Sequence, residues 1–574
     1  MEILTQPEAP LAIENQQSVP VIEPIIPLPV AVVVGWLCVL AAAVCGLIIP
    51  NWNLTYWDFG DGNYLYVGGR ILDGLVPYKD ILAPQPPLHQ VMAAACQWFG
   101  EAIFGSALVG ARAYTLILRL MCGLLIFFVG REWFRSDAHG LVAATIYLFL
   151  PIGFWWSIGV QSENIELVFL LFAFWGVLKL NKKWLLWAGV ASALAMHCNM
   201  TALPYFLSNA LFLGVRRPKL LGWYLLTTVP IWFLGAGITW AWAGPDYLDN
   251  VIFNQVGSFP RSDITGEPLL VYAWGKIFSQ GKEVLSLEGQ FIIIGLVALT
   301  FRWVESIKTL ERNSDAFRRF EYAAWYCIGM LLSICFTAKG GTVNYIFVLG
   351  EPAVALLAAD ALTRLSTFAV LKFTQFTEKQ SQLVSAIALA LALFASALLT
   401  LGPSSTRKNL YHTTVGLQAE LPYKEVIGMG NPVRILNTVV EVQAFIKAET
   451  EPGDLILASP FYAWSTDRVL AGEFAETYLW YIKYINERHD IRNGTITQPG
   501  PALLKVQELT QLIRERKIKL ILLDDVLTGR IEPIRNAIQG NYVLHETVPR
   551  LDSRHNVIEV YVPIEGIYTA DSER

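Results

Sequence analysis

Charge is scarce in this sequence: Asp, Glu, Lys and Arg make up 16% of its 574 residues, against about 25% in ordinary soluble domains. With 54% hydrophobic residues and a mean hydropathy of +0.44, the composition is that of a membrane protein. The net charge is −5 and the basic residues are scattered without a stripe, which excludes nucleic acid as a partner. Cysteine is sparse too, with seven residues, none beyond Cys335 and no CxxC pair, so zinc and dithiol redox sites are excluded. Cys38, Cys45, Cys122, Cys198, Cys327 and Cys335 lie in or beside apolar runs and read as small buried hydrophobes. The first 27 residues hold four glutamates and no lysine or arginine, so the basic opening of a signal peptide is missing. Residues 1–27 therefore read as a disordered cytoplasmic tail ahead of a retained helix over Val30–Ile49. A glycine-rich phosphate loop is missing as well: IGMGNP around Gly428 and Gly430 lacks a preceding strand and a following helix, and reads as a turn.

Long apolar runs are abundant instead. After the first helix, segments of spanning length fall at about 107–130, 140–157, 165–180, 184–199, 202–215, 220–242, 286–301, 322–337, 345–362 and 382–401, for about eleven in all. Basic residues recur at every second loop: Arg131 and Arg135; Lys179, Lys182 and Lys183; Arg216, Arg217 and Lys219; Arg302 to Arg319; then Arg364, Lys372 and Lys379. The positive-inside rule assigns these loops to the cytoplasm. That puts the N-terminus inside, and residues 51–106, 244–285 and everything after about 402 outside. From 403 to 574 charges run throughout and helix-like and strand-like segments alternate: helices at 436–449, 501–517 and near 530–539, strands at 454–459, 519–525 and 556–562. This predicts a small α/β domain with a partly parallel sheet. The fold expected is thus an α-helical polytopic membrane domain over 28–402 with an extracytoplasmic α/β domain over 403–574.

The first outward loop, WDFGDGNYLYVGGRILDGLVPYKDILAPQPPLHQ, is too rich in special residues for a plain connector. Residues 63–73 predict a short amphipathic helix on the membrane surface, with Tyr64, Val67, Ile71 and Leu72 on one side. Asp58 and Asp61, three apart, share a side of a turn or helix; they cap the helix or serve chemistry. Glu163 and Glu166 sit at a membrane edge, where carboxylates are costly and usually functional; helix capping by Gln161, Ser162 and Glu163 is the plainer alternative. Arg112 and Arg119 in the second spanning segment need a partner, either a lipid phosphate, whose oxygens suit a guanidinium fork, or a carboxylate of the bundle. Lys339, before two glycines in AKGGTVNY, is a further phosphate candidate or a surface lysine. His89 and His197 read as local hydrogen-bonding residues.

Asp58, Asp61, Gly74, Pro77, Tyr78, Asp80, Pro86 and Pro87, in the order acidic pair, short helix, G-x-x-P-Y-x-D, P-P-L, resemble the first extracytoplasmic loop of GT-C class membrane glycosyltransferases. The branch resembled is that of the protein mannosyltransferases and the lipid A aminoarabinose transferases. Phe99-Gly100 with Arg112, Glu163-Asn164, and KGGTVNYIFVLGEP at 339–352 extend the resemblance. It implies inverting transfer of a sugar from a polyprenyl-phosphate carrier to a glycan, lipid or protein acceptor outside the cytoplasmic (inner) membrane. One carboxylate would take the proton of the acceptor hydroxyl; a second is free to orient the acceptor or to bind a divalent cation. Asp58, Asp61 and Glu163 are the carboxylates the resemblance points to, for catalysis or for a metal, and which aspartate is the base stays open. Arg112, Arg119, Lys339, Tyr345 and Gln85 are the candidates for carrier and phosphate. Asn344 stands where many relatives have a histidine before the tyrosine, and Gln85 where the aminoarabinose branch has a lysine. Two other functions compete. A transporter or flippase of lipid-linked glycans would show paired halves with broken helices, and no internal repeat is found. A non-catalytic envelope scaffold would tolerate neutral substitutions in the acidic loop.

Overall fold

The structure, a computed structural model, describes residues 27–49, 59–83, 85–248, 250–251, 268–312, 314–338, 344–373, 380, 384–385, 387–394, 442–473, 475, 477–524, 531–549 and 557–564. The expected tail 1–27 falls almost wholly outside these, as do Asp58, Lys339, the turn at Gly428–Gly430 and the boundary near 403.

The chain opens with α1 (Val30–Ile48), α2 (Phe59–Leu72), α3 (Pro87–Phe104), α4 (Ala107–Phe134), α5 (Asp137–Phe149), α6 (Pro151–Trp156), α7 (Ser162–Leu178), α8 (Lys182–Cys198), α9 (Leu203–Arg216) and α10 (Pro218–Ala243). It continues with α11 (Leu269–Thr309), α12 (Asp315–Leu331) and α13 (Glu351–Phe373). Among the described residues six helices are long and apolar enough to cross a membrane: α1, α4, α10, α11, α12 with its following turn, and α13. They pack with the shorter α5, α7 and α8 on one large core in which Ile126, Val142, Leu171, Phe174, Leu185 and Leu356 are wholly buried. The outer faces stay apolar and uncovered. On α10, Leu226, Phe233, Leu234, Ile238 and Trp240 are exposed, the face a bilayer would cover. This is a multi-pass membrane protein.

Of the eleven expected spans, six hold a helix long and apolar enough to cross a membrane among the described residues. The helices α7, α8 and α9, at the runs 165–180, 184–199 and 202–215, are shorter, the run 382–401 lies partly outside the described residues, and three runs differ in form. The run at 140–157 is two helices, because Pro151 has no N–H to continue α5 and starts α6. The run at 286–301 is the middle of the 41-residue α11, whose first turns carry the charges of Lys276, Lys282 and Glu283 that hide them from a hydropathy reading. The run at 345–362 begins as a 3₁₀ turn, Asn344–Leu349, before α13.

The basic loops meet at one end of the bundle. Glu132, near the end of α4, lies 2.9 Å from Arg135, 3.1 Å from Lys179 and 3.6 Å from Arg319. Asp360 on α13 gathers Arg302 at 2.5 Å and Arg364 at 3.0 Å. Four of the five basic groups read from the sequence therefore converge on two carboxylates.

The C-terminal part holds a five-stranded sheet. Its strands are β1 (Leu455–Leu457), β2 (Val469–Leu470), β3 (Leu520–Asp524), β4 (Tyr542–Pro549) and β5 (Val557–Pro563), in the order β2-β1-β3-β5-β4. β1 is parallel to β2 and β3, while β5 is antiparallel to β3 and β4, so the sheet is partly parallel. Helices α14 (Pro460–Thr466), α15 (Thr477–Arg492), α16 (Pro501–Arg514) and α17 (Glu532–Ile538) accompany it. The helix expected at 436–449 is described from residue 442.

α2 departs from its expected place on the membrane surface. Residues 62–68 are buried, and Tyr64, Leu65, Tyr66 and Val67 share one core with Ile456, Phe461, Tyr462 and Leu470 of the C-terminal part. Of the residues expected on its apolar side, Leu72 is exposed.

Candidate functional site

Four elements meet where α7 begins. Tyr64 on α2 points its hydroxyl at Ser162 Oγ, 3.4 Å away and buried. Ser162 donates to Glu163 Oε2 at 3.2 Å. Asn199, between α8 and α9, donates from one amide nitrogen to Ser162 Oγ and Glu163 Oε1, both at 3.0 Å. Its amide oxygen accepts from the backbone N–H of Thr201 at 3.2 Å, so both ends of the amide are used and its orientation is fixed. The turn between α8 and α9 thus holds Glu163. The residue before the helix, Gln161, makes no side-chain cap bond, and Asn164 ties the first turn to the carbonyls of Trp156 and Gly159.

Glu166, one turn deeper, accepts the Thr201 hydroxyl, 2.8 Å from each of its carboxylate oxygens. Arg112, wholly buried in the first turns of α4, donates to the carbonyl of Ile158 at 3.1 Å, and Thr115 reaches the same carbonyl at 3.2 Å. The guanidinium is thereby fixed beside the loop that leads into α7.

On the other side of Tyr64 lies His89, its ring edge-on with centroids 4.3 Å apart. Burial pushes its imidazole down to about 3, so it is neutral. Neither ring nitrogen has a partner among the described residues, contrary to the local bonding expected of it, whereas His197 does bond the carbonyl of Trp232 at 3.1 Å. Gln85 precedes the Pro-Pro start of α3, and its carbonyl accepts from the Tyr78 hydroxyl at 2.7 Å and from Gln90 at 2.8 Å. Asp61 stands in the first turn of α2, three residues before Tyr64, and Tyr345 in the 3₁₀ turn before α13; both are described in backbone only. That turn packs against α6, α7 and α11. Among the described residues no group of three or more His, Cys, Asp or Glu is arranged to hold a metal ion.

Arg119 lies deeper and takes the carboxylate partner. Its Nη1 is 3.1 Å from Glu351 Oε2, with both side chains fully buried, and the guanidinium covers the Tyr147 ring at 4.0 Å while donating to the Tyr147 carbonyl. The second Glu351 oxygen accepts the N–H of Gly153, and Glu288 accepts that of Ile152 at 3.2 Å. Sequence reasoning passed over both glutamates, although an intramembrane arginine already demanded a counter-charge.

Residues 85–242, which include Gln85, Arg112, Arg119 and Glu163, match the family described as dolichyl-phosphate-mannose-protein mannosyltransferase. That match spans 158 of the 574 residues. No curated protein sequence matches the chain. Among solved structures the chain is similar to ArnT from Cupriavidus metallidurans bound to undecaprenyl phosphate, at 12% identity and a TM-score of 0.48 over 92% of this chain and 98% of that one. It is also similar to the oligosaccharyltransferase AglB from Archaeoglobus fulgidus in complex with an inhibitory peptide and a dolichol-phosphate, at 12% identity and 0.49 over 93% and 76%. A third likeness is to the arabinofuranosyltransferase AftD from Mycobacteria, at 14% identity and 0.44 over 93% and 40%.

Proposed function

We propose that the chain is a membrane glycosyltransferase of the GT-C class that moves a sugar, with inversion, from a polyprenyl-phosphate carrier to an acceptor hydroxyl outside the cytoplasmic membrane. The observation that carries the reading is the hydrogen-bonded run from Tyr64 through Ser162 to Glu163 and Asn199, since it draws the helix whose first turn holds Asp61 onto the buried carboxylate of α7. In the transfer, the acceptor oxygen attacks the anomeric carbon, the bond from that carbon to the phosphate oxygen breaks, and its electron pair leaves with the polyprenyl phosphate. The acceptor proton goes to Asp58 or Asp61 as general base. Glu163 is the second carboxylate, aligning the acceptor from the opposite wall. A phosphate leaving group needs positive charge more than a general acid, and Arg112, Lys339, Tyr345 and Gln85 are assigned to the carrier. Arg119 has its charge met by Glu351, and is left to the bundle.

Purified protein given a panel of radiolabelled polyprenyl-phosphate hexoses and pentoses, with envelope extract as acceptor, should consume one carrier and release label into a new product. Movement of carrier across a vesicle bilayer with no chemical change would instead make the protein a flippase.

The orientation belongs to the same proposal: N-terminus inside, residues 28–402 as the membrane domain, residues 403–574 outside. With the exposed Cys38 and Cys335 replaced by serine, Lys517→Cys should react with a membrane-impermeant maleimide in intact cells and Lys308→Cys should not. The opposite labelling would put the acidic loop in the cytoplasm, away from any external acceptor.

A further inference from the structure

Glu473 of the C-terminal part holds α2 with both oxygens of its carboxylate. Its Oε1 accepts from Arg70 Nη2 at 2.7 Å and from Arg70 Nε at 3.2 Å, and its Oε2 accepts from the Tyr66 hydroxyl at 2.6 Å. The Tyr66 oxygen in turn accepts the N–H of Leu470 on β2 at 2.9 Å. The backbone carbonyl of Glu473 accepts the N–H of Leu82 at 3.1 Å, so the residue also holds the chain that follows α2. To do this Glu473 adopts φ +53 beside Gly472 at +75, a left-handed conformation that costs a residue with a Cβ energy and marks a constrained role. Beside this grip, Trp464 Nε1 donates to Gln97 on α3 at 2.8 Å. A Cβ on Gly62 would come within 2.7 Å of the Phe461 Cβ, so α14 touches the first turn of α2 itself.

Arg70 and Glu473 are both about four-fifths buried, with side chains 19% and 17% exposed, so their two-pronged, charge-assisted contact is not screened as a surface pair would be. Burial and the Glu473 charge push the Tyr66 hydroxyl well up, so it stays protonated and donates.

We infer that Glu473 is a positioning residue for sugar transfer, locking α2 through Tyr66 and Arg70 so that the carboxylate at the head of that helix is held on the acceptor. This rests on the reading that α2 carries the base. The C-terminal part then contributes to the chemical step, not only to acceptor capture. A misplacement of about 1 Å can cost about 10² in rate, and the carrier, gripped by other elements, would bind as before.

The test uses full-length purified enzyme with the polyprenyl-phosphate sugar it consumes. Glu473→Ala should lower kcat by about 10²-fold with donor KM within about threefold of wild type. Hydrogen exchange in the α2 peptide should rise about tenfold or more while β1 and β3 keep their protection. Tyr66→Phe, which removes one hydroxyl and no packing, should move both readouts the same way to a smaller extent, and Glu473→Gln should fall between. Wild-type exchange in α2, or faster exchange with wild-type kcat, overturns the positioning role. Should Asp58→Asn and Asp61→Asn both keep wild-type turnover, the base reading fails, and Glu473→Ala still decides the lock on its own.

Discussion

Turnover of the purified enzyme should fall by about 10²–10⁴ when the base aspartate is made asparagine, the usual loss when a positioned general base is removed. Asp58→Asn and Asp61→Asn made separately identify it: one variant shows the full loss, the other a smaller one from acceptor alignment. Donor KM should change little in either, because the carrier phosphate is assigned to residues outside α2. Glu163→Gln keeps the shape of the Ser162 and Asn199 contacts while removing charge, and should cost less than the base. The exposed Glu101 of α3 offers a carboxylate of the same loop that takes no part, so Glu101→Gln should turn over as wild type. Full activity in both aspartate variants would reduce the acidic loop to a structural cap.

The second large effect is on stability. Arg119→Met should lower the thermal midpoint of detergent-purified protein by several degrees or more, because it strands Glu351 without its cation. Breaking a buried pair by removing one partner costs about 3–5 kcal/mol, whereas replacing both by apolar groups is often close to neutral. Arg119→Met combined with Glu351→Met should therefore recover part of the loss. Gly153→Val should resemble the single Arg119 variant, since a Cβ there collides with the Glu351 carboxylate and the Arg119 guanidinium. If the double variant is no better than the single, the cluster acts through packing alone and the charge argument is wrong.

How much of this could be read from the chain depends on what each residue faces. Spanning helices betray themselves because lipid demands apolar side chains over a fixed length, and the alternating basic loops carried over into the convergence on Glu132 and Asp360. The strands β1 and β3 were legible as short apolar runs, and β5 as a β-branched run interrupted by Glu559. β2 is two residues long, and β4 carries His545 and Glu546 with a register shift between Leu544 and Glu546, so neither offers a hydrophobic period. α2 was readable as a helix and unreadable in its burial: a surface helix and one covered by a domain hundreds of residues away have the same amphipathic pattern. Glu163 stood out as a carboxylate at a membrane edge. Asn199, which orients it, and Glu473, which holds α2, offered no such signal.

The contact between Tyr66 and Glu473 spans 407 residues of sequence, and this sets an order of events during synthesis. At about 5–20 residues per second, α2 is made roughly 20–80 s before the ribosome has made its partner. Through that interval Leu65, Tyr66 and Val67 have no apolar cover from β1, β2 and α14, and Arg70 has no counter-charge from Glu473. The helix at the head of the proposed site is thus the last part of the membrane domain to be finished, and a chain cut short before residue 473 would leave it open however well its spans had inserted.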